Sequence, residues 1–268
     1  MSILNKLYNT KIGRIILRPL ISRPVSDLSG VLMDMKASKL LIAPFAKMNG
    51  IRLDDYVLDD INCFNDFFCR RIKHGLRPIS TDPADFIAPC DGLLTIHRIT
   101  KGKVMKAKQT TFNIHTLLRD KKLAKSFEGG YCLVFRLCVN HYHRYNWFDS
   151  GKAHKNRRIE GFYHTVQPVA LEGFPVFTEN CREYAVIDSK SFGRCVQMEV
   201  GAMLVGRIVN PDKSPRVVYR GDEKGRFEYG GSTIILLVPE GKLKLRDDIL
   251  NARSELPVKM GEVLGQKG

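Results

Sequence analysis

Apolar residues in the first part of the chain recur at the spacing of amphipathic helices. Few β-branched runs interrupt them, and breaks fall at Arg23-Pro24 and near Asn49-Gly50, before Arg77-Pro78 closes the region. The positions that set this period are Ile3, Leu4, Leu7, Ile12, Ile15, Ile16, Leu40, Leu41, Ile42 and Phe45. The pattern predicts a helical region over residues 1–80.

From Phe86 onward the residue pattern changes to short runs rich in β-forming residues, separated by Gly, Pro and Asp. Their spacing is typical of an antiparallel sandwich or barrel and leaves little room for crossover helices. The runs are Leu93–Ile99, Tyr131–Val139, Gly161–Leu171, Glu183–Asp188, Arg194–Val209, Val217–Tyr219 and Ser232–Val238. We therefore expect an α+β fold, in which a basic helical N-terminal layer over 1–80 precedes a mainly-β, sandwich- or barrel-like catalytic core over 81–268.

Composition and cysteine usage exclude several classes of protein. The chain has 268 residues, of which 44% are hydrophobic and 26% charged, so a disordered or fibrous protein is excluded. No apolar run approaches the length of a membrane-spanning helix, and the beginning of the chain does not resemble a signal peptide. The seven cysteines include no C-x-x-C pair, which argues against a disulfide framework or a zinc ribbon. We expect an intracellular protein, soluble or bound to a surface.

The chain carries an excess of positive charge that is concentrated near its beginning. The net charge is +15, and residues 1–52 hold nine Lys or Arg against two Asp, which gives +7 in that segment. Basic amphipathic helices fit the surface of an anionic membrane. Helices packed on the core with a solvated basic face explain the same pattern equally well. Nucleic acid is a weaker alternative, because no recognition motif for it is present.

Three clusters concentrate reactive side chains. Asp91 lies between Pro89 and Gly92 at the start of a predicted strand, although Asp-Gly is also an ordinary turn. His141 and His143 follow the apolar run that begins at Tyr131 and would share one face of a strand. Such an H-x-H pair could bind a metal, as in cupin-like barrels, or supply an acid or base. The third cluster is Gly-Gly-Ser-Thr at 230–233, which is either a hairpin turn or the site of a nucleophilic hydroxyl.

Taken in order, these clusters and the motifs between them resemble the phosphatidylserine decarboxylases over roughly residues 60–245. Each motif alone is a weak signal, and their occurrence in the family's order is a strong one. The matching segments are Phe67-Phe68-Cys-Arg70, Arg77-Pro78-Ile79, Ala88-Pro89-Cys-Asp91-Gly92, Tyr142-His143-Arg144, Asn180-Cys-Arg182-Glu183, Val200-Gly201-Ala202-Met-Leu-Val205-Gly206, Gly221-Asp-Glu223-Lys-Gly225-Arg-Phe227 and Gly230-Gly231-Ser232-Thr233.

The resemblance implies a proenzyme that cleaves itself between Gly231 and Ser232. In the family, the serine attacks the preceding carbonyl, and elimination and hydrolysis then convert it into a pyruvoyl group, here at position 232. A histidine would take the hydroxyl proton, and Asp91 would orient that imidazole. The self-derived pyruvoyl group acts as the electron sink for decarboxylation, so the resemblance implies neither a metal nor pyridoxal phosphate.

The resemblance also implies a role in phospholipid biosynthesis. The substrate would be phosphatidylserine and the products phosphatidylethanolamine and CO₂, as expected of a carboxy-lyase. The enzyme would then lie peripherally on the cytoplasmic face of an anionic membrane, and the basic segment over residues 1–52 would bind that membrane. The two cleaved chains would stay together, and the family suggests a homodimer without nucleic-acid partners.

One departure from the family pattern concerns the base. Better-known bacterial members carry a second histidine three residues after that of Tyr-His-Arg, and here this position is Asn146. Because Asn cannot act as a general base, we expect His143 to take this role, with His164 as the alternative. The Gly-Gly-Ser-Thr motif also replaces the commoner Leu-Gly-Ser-Thr, a conservative change for a tight turn.

Two other functions are compatible with parts of the sequence. A metal-dependent β-barrel enzyme would use His141 and His143 with His154 or Glu160, but it leaves the Gly-Gly-Ser-Thr motif without a role. A non-catalytic, basic membrane-binding module would explain only the charge.

Overall fold

The computed structural model describes residues 3–100, 105–107, 110–171, 173–203, 207–229 and 232–268. Its first part is a series of helices. Thr10 begins the second of them as an N-cap, because its side chain accepts a hydrogen bond from the N–H of Gly13. The helices are α1 (Ile3–Asn9), α2 (Lys11–Leu20), α3 (Arg23–Asp34), α4 (Ile42–Met48) and α5 (Phe64–Phe68), with 3₁₀ turns at Lys36–Leu41 and Leu53–Asp55.

Further short helices lie between the strands of the core. They are α6 (Ile114–Leu118), α7 (Lys121–Lys125), α8 (Pro168–Leu171), α9 (Val176–Glu179) and α10 (Asp247–Leu250). In the described part of the chain, no helix is both long and apolar enough to cross a membrane.

A nine-stranded antiparallel sheet forms the centre of the molecule. Its strands follow the order β14, β9, β11, β12, β16, β7, β4, β18, and β10 also pairs with β11. The strands are β4 (Gly92–Arg98), β7 (Tyr131–Leu137), β9 (Gly151–Ala153), β10 (Arg157–Ile159), β11 (Arg182–Ser189), β12 (Gly193–Val200), β14 (Arg216–Val218), β16 (Ser232–Val238) and β18 (Leu256–Val258).

Smaller antiparallel sheets accompany the central one. Two have three strands, in the orders β13–β15–β8 and β17–β19–β3, and two have two strands, β1–β2 and β5–β6. Their strands are β1 (Tyr56–Val57), β2 (Arg71–Ile72), β3 (Asp85–Ile87), β5 (Met105–Ala107), β6 (Thr110–Phe112), β8 (Arg144–Asn146), β13 (Ile208–Val209), β15 (Glu223–Phe227), β17 (Leu243–Leu245) and β19 (Val263–Lys267).

The central sheet is buried on both faces, which explains its continuous apolar strands. All seven residues of β16 are buried. Ile235 and Leu237 contribute to one hydrophobic cluster, together with Tyr8 and Leu17 from the first helices. Alternate residues of the same strand contribute to a second cluster, which includes side chains from the two three-stranded sheets. A sandwich therefore forms the core, with helices on one face and small sheets on the other.

The N-terminal helices are partly a structural layer of this core. Tyr8, Leu17 and Ile21 are buried in it. Helices α1 and α2 also cross closely, because a Cβ at Gly13 would lie 2.1 Å from the carbonyl oxygen of Lys6. The predicted packing of these helices on the core is thus present, together with an exposed face described below.

The α+β class and the mainly-β core are confirmed, and the predicted strand Ser232–Val238 is found unchanged. The predicted strand Gly161–Leu171 is wrong: residue 162 forms only an isolated bridge, and residues 168–171 form α8. The run predicted from Arg194 ends as a central strand at Val200. Apolar runs of this kind do not distinguish a buried strand from a buried loop or helical turn. The division at residue 80 stays a prediction.

Candidate active site

Ser232 is the first residue of β16 and is completely buried in the central sheet. It pairs with Leu137 of β7, and the next residue, Thr233, pairs with Val200 of β12. Among the residues that the structure describes, the Ser232 Oγ has no hydrogen-bond partner. Gly230 and Gly231, the rest of the predicted cleavage motif, lie outside the described residues, as do residues 204–206 of the Val-Gly-Ala motif. The sheet therefore holds an uncommitted hydroxyl at position 232.

Asp91 lies directly before β4, and an arginine holds its carboxylate. Arg77 donates from Nε to Oδ1 at 2.7 Å and from Nη2 to Oδ2 at 2.5 Å, and both side chains are largely buried. The N–H of Met260 donates to Oδ1 at 2.9 Å. Such bidentate pairs are strong and directional, and this one raises the pKa of Arg77. The structure therefore does not join Asp91 to an imidazole by a hydrogen bond; its described partners are Arg77 and Met260.

A glycine allows the backbone around Met260 to approach Asp91. Gly261 has φ +85°, and a Cβ there would lie 2.2 Å from the carbonyl oxygen of Pro78. Its N–H donates to the carbonyl of Ala88 at 2.9 Å. Only glycine adopts this conformation at so little cost, so the turn fixes the segment before β19 against the Asp91 loop.

His143 is completely buried in the loop between β7 and β8, so the prediction that it lies on a strand is wrong. Its Nδ1 lies 2.9 Å from the carbonyl oxygen of His141. A carbonyl only accepts, so Nδ1 carries the proton, and Nε2, which is buried without a partner in the described chain, keeps its lone pair. The ring of Phe68 lies 4.1 Å away, centroid to centroid. Burial, followed by the charge of Arg70, lowers the pKa of His143 well below its ordinary value.

This histidine lies against the segment that leads to Ser232. The N–H of Phe227, at the end of β15, donates to the His143 carbonyl at 2.9 Å. Phe68 contacts both the His143 ring and Tyr229, whose ring is 5.3 Å away from it in an edge-to-face arrangement. No hydrogen bond joins His143 to Ser232 in the described part of the chain; what the structure shows is that His143 contacts the segment at 227–229 that precedes the cleavage motif.

His141 has the opposite arrangement of its ring nitrogens. Its Nδ1 accepts from the N–H of Cys138 at 3.0 Å, so in the neutral ring the proton is on Nε2. Burial lowers its pKa, and the negative charge of Asp91 opposes that shift. His141 therefore experiences the field of Asp91, but its basic nitrogen is already occupied.

His164 lies on the helical side of the molecule, in a loop and not on the strand predicted for it. Its Nδ1 is 3.4 Å from the hydroxyl of Tyr8, and its Nε2 is 3.5 Å from a carboxylate oxygen of Glu179. Burial lowers its pKa to about 4. Asn180 donates to the carbonyls of both His164 and Gly201, at 2.8 and 2.7 Å. The Asn180 side chain thus connects the backbone of His164 to the end of β12, and the His164 ring contacts Tyr8 of α1, Glu179 of α9 and the ring of Phe174.

Asn146 lies beside the Asp91 loop. Its N–H donates to the carbonyl of Pro89 at 2.8 Å, and its carbonyl accepts from Gln197. This is the position where better-known members carry a histidine. The departure from the family pattern therefore falls next to the segment that carries Asp91.

A cavity of about 340 Å³ lies beside the strand that pairs with Ser232. Its lining is mostly apolar and includes Leu137, Cys138, Met203 and Tyr229, with Leu4 contributed by α1. A larger cavity of about 600 Å³ lies along β4 and includes His97 and Glu255, but it contains none of the predicted site residues. The smaller cavity is not lined by a predicted site residue either, but Leu137 in its lining is the residue that pairs with Ser232, so this cavity is the candidate binding site.

The sequence profile of the phosphatidylserine decarboxylase family matches residues 64–266. The chain belongs to this family. It is 39% identical to phosphatidylserine decarboxylase proenzyme 2 of Clostridium acetobutylicum over 264 residues, which cover 97% of this chain and 90% of that protein. It is 38% identical to the proenzymes of Clostridium botulinum strain Langeland, over 98% of this chain and 92% of that protein, and of Clostridium kluyveri, over 97% and 90%.

Membership of the phosphatidylserine decarboxylase family gives the metal-enzyme alternative no support, and neither does the geometry. Within the described ranges, no three or more His, Cys, Asp or Glu side chains are grouped as metal ligands. His154 instead contacts Asp188 at 2.6 Å, and Glu160 contacts Arg158 at 2.8 Å.

Sequence reasoning missed the arginines of this site. Arg77 and Arg70 appeared only as members of family motifs, although Arg77 binds Asp91 and Arg70 contacts the loop that carries His143. The available signal was that both motifs contain an arginine beside apolar residues.

Proposed function

We propose that the chain is a phosphatidylserine decarboxylase that matures by cleaving itself between Gly231 and Ser232. It is a carboxy-lyase that releases CO₂ from the serine headgroup and leaves phosphatidylethanolamine. The observation that carries this proposal is the family match over residues 64–266, which includes the Gly-Gly-Ser-Thr motif. The serine hydroxyl of that motif is buried and has no hydrogen-bond partner among the described residues.

Maturation starts at the Ser232 hydroxyl. Its Oγ attacks the Gly231 carbonyl, and the peptide bond is replaced by an ester. Elimination across the Cα–Cβ bond of residue 232 releases Gly231 as a carboxylate and leaves dehydroalanine. Hydrolysis then expels ammonia and leaves a pyruvoyl group. Among the described residues no neighbour engages this hydroxyl, which suits the first step because no hydrogen bond to them has to be broken.

The surroundings of residue 232 fit such a group. Residue 232 begins a strand that is paired on both sides, with β7 and with β12, so its position is fixed after the chain is cut. The pyruvoyl carbonyl supplies the electron sink that accepts the electron pair as CO₂ leaves. The cavity beside Leu137 can admit the headgroup and exclude bulk water from it.

The two chains produced by cleavage stay together because strands of the short chain are paired with strands of the long chain. The short chain provides β16, at the centre of the nine-stranded sheet, and also β18 and β19, which pair with β4 and β3. All seven side chains of β16 are buried. Separating the chains would expose them, at a cost of roughly 1.5–3 kcal/mol for each large apolar side chain.

His143 is the proposed proton carrier. Its free Nε2 has the lone pair that a base requires, and its Nδ1–H is held by the His141 carbonyl. It takes the Ser232 proton during maturation and afterwards can hold a proton for the carbon that loses CO₂. Asp91 contributes to the electrostatics of the site through its ion pair with Arg77 and through its field on His141. His164 is the weaker alternative as base.

The enzyme would work as a peripheral protein on the cytoplasmic face of an anionic membrane. Ile12, Ile15 and Ile16 of α2 are exposed on one face of the helix, beside the basic residues of the first 52 positions. Leu4 of the neighbouring α1 lines the candidate cavity. A lipid headgroup could thus pass from the membrane to the site along the helical layer. A homodimer stays a prediction.

Intact mass and an activity assay test the proposal. Purified protein should consist of a chain of residues 1–231 and a chain of 37 residues that carries a ketone instead of an amine at residue 232. It should convert phosphatidylserine to phosphatidylethanolamine. Ser232→Ala should remain one full-length, inactive chain, because alanine has no nucleophile.

Ser254→Ala, at an exposed position, is the matched control and should cleave and react normally. A free serine amine at the start of the short chain in a fully active enzyme would exclude the pyruvoyl mechanism. Cleaved protein without decarboxylase activity on vesicles or on short-chain substrate would contradict the proposed reaction.

A further inference from the structure

Arg70 is a buried arginine without a carboxylate partner. It follows α5, and only 2% of its surface is exposed. Its guanidinium lies over the rings of Tyr56 and Phe67, at 4.1 and 4.9 Å from their centroids. No ion pair to it is present among the described residues, and its Nε has no hydrogen-bond partner there. Burying such a charge is costly, so its remaining contacts require an explanation.

Those contacts point to the loop that carries His143. Nη2 of Arg70 donates to the carbonyls of Asn140 and His141 at 3.5 and 3.4 Å, and Nη1 donates to that of Phe67 at 3.3 Å. The first two distances are long for hydrogen bonds. The His141 carbonyl is also the acceptor for Nδ1–H of His143, at 2.9 Å. One carbonyl oxygen therefore receives both the arginine and the imidazole.

Arg70 is also the fixed charge that acts on the imidazole. The other groups against the His143 ring are Phe68, which is apolar, and His141, whose carbonyl favours the charged ring and whose imidazole, when protonated, disfavours it. The charge of Arg70 disfavours the protonated ring and lowers the pKa of His143, after burial. Burial and the charge of Arg70 both favour the neutral ring, which is the form that can accept a proton.

We propose that Arg70 is a positioning residue for His143. By binding the carbonyl that accepts from Nδ1–H it keeps the proton on Nδ1 and Nε2 free, and by its fixed charge it keeps the ring neutral. The catalytic importance of this arrangement depends on the function proposed above for His143. The position of the proton on Nδ1 of His143 does not depend on that function, because it can be measured in the uncleaved protein.

The first test is NMR of the Ser232→Ala protein with ¹⁵N-labelled histidine, with the His143 signals assigned by His143→Gln. We expect a protonated Nδ1 whose hydrogen exchanges slowly with water. Arg70→Met should accelerate this exchange about tenfold or more, whereas Arg71→Met should not. Arg71 is the matched control, because it is the next residue, is exposed, and its guanidinium lies 3.9 Å from a carboxylate oxygen of Glu223. Equal exchange in both variants would overturn the proposal.

The second test is the pH dependence of self-cleavage, followed in chains made by cell-free translation and shifted to pH 5–8. The unchanged chain and Arg71→Met should cleave at a nearly constant rate over this range. In Arg70→Met the rate should fall toward pH 5, because the His143 ring becomes easier to protonate. A loss of rate that is equal at every pH would show that Arg70 has only a structural role and would overturn the proposal.

Arg70→Lys keeps the experiment decisive if Arg70→Met does not fold. Lysine retains the charge but not the fork of donors, so it should preserve the pH profile and still accelerate exchange at Nδ1. An unchanged exchange rate in Arg70→Lys and a profile that falls toward pH 5 would together exclude the mechanism. Normal cleavage of His143→Gln would instead refute the proposed function of His143, while the NMR result would still decide about Arg70.

Discussion

The three histidines near the site differ in what their ring nitrogens contact, although they are the same residue type. His143 donates from Nδ1 to a carbonyl, and His141 accepts at Nδ1 from a backbone N–H. His164 contacts the hydroxyl of Tyr8 and the carboxylate of Glu179. Among the three, His143 therefore combines complete burial with an unpartnered Nε2.

This difference predicts which histidine variant fails to mature. His143→Gln should slow self-cleavage at least about 100-fold, since it removes the proposed base. Asp91→Asn should be of similar severity, and the double variant should be little worse, because members of one catalytic unit are not additive. His164→Gln and the exposed control His74→Gln should still cleave. The measurement is the fraction of cleaved chain over time on a denaturing gel.

Normal maturation of His143→Gln would refute the assignment. If that variant cleaves but does not decarboxylate, His143 serves the second reaction alone, and a maturation defect in His164→Gln would then identify His164 as the base.

At the scale of elements, the first helices have structural features of both roles that the sequence left as alternatives. Helix α2 buries Leu17 in the core, while Ile12 and Ile15 on the same helix are 73% and 71% exposed. Leu40, in the following 3₁₀ turn, is 83% exposed. Exposed apolar side chains at i, i+3 and i+4, surrounded by lysine and arginine, are typical of a helix that binds a lipid surface.

Polar substitution on α2 should therefore impair membrane binding and leave the fold intact. Ile12→Gln, Ile15→Gln and Ile16→Gln together should reduce binding to anionic vesicles about tenfold or more. Activity should fall on vesicles but not on short-chain substrate. Binding by the unchanged protein should weaken as salt is added, because surface charges are screened over about 8 Å at physiological ionic strength. Vesicle sedimentation and product formation measure these effects.

The control is Val217→Gln with Tyr219→Gln, two exposed residues at the edge of the central sheet. An equal loss on both substrates would mean that α2 is only part of the core. Deleting residues 1–52 is a poorer test, because it also removes the buried Tyr8, Leu17 and Ile21.

At the scale of the whole molecule, the contact between α1 and the loop at His164 links the helical layer to the core. The Tyr8 hydroxyl lies 3.4 Å from Nδ1 of His164 and accepts a hydrogen bond from the N–H of Thr165 at 3.0 Å. The pKa of His164 is about 4 in the fold, below the usual histidine value of about 6.5, because the ring is buried. Below pH 6.5 the unfolded chain binds a proton that the folded chain does not.

The free energy of unfolding should therefore fall as the pH is lowered from about 6.5 toward 4, and the His164 contribution should be fully present above 6.5. His164→Gln should lower Tm at pH 7 and reduce its further loss between pH 6.5 and 5. His74→Gln, at an exposed position, should change neither. Thermal unfolding in the Ser232→Ala background measures the difference.

Glu179 faces His164 and acts in the opposite direction, because burial raises its pKa. The informative quantity is therefore the difference in the pH dependence of Tm between His164→Gln and the parent protein. The pH dependence of the parent alone is not informative, because Glu179 also contributes to it. An identical pH dependence in the two proteins would show that the pKa of His164 is the same in the folded and the unfolded chain.

The sequence by itself determined the family, the α+β class and the strand that begins at Ser232. These follow from the local order of residues: the motifs occur in the expected succession, and the seven residues after Gly-Gly, of which the last five are apolar, are long enough to form a central strand. The basic, amphipathic character of the first helices is likewise a property of neighbouring residues.

The tertiary structure decided which side chains meet. Asp91 binds Arg77 and the backbone of Met260, 169 residues later, and Arg70 reaches the carbonyl of His141. It also placed His143 in a buried loop rather than on the strand that its apolar neighbours predicted. Hydrophobic period specifies which face of an element is buried, but it contains no information on which distant element covers that face. Partners, protonation states and the free lone pair of a histidine therefore depend on packing.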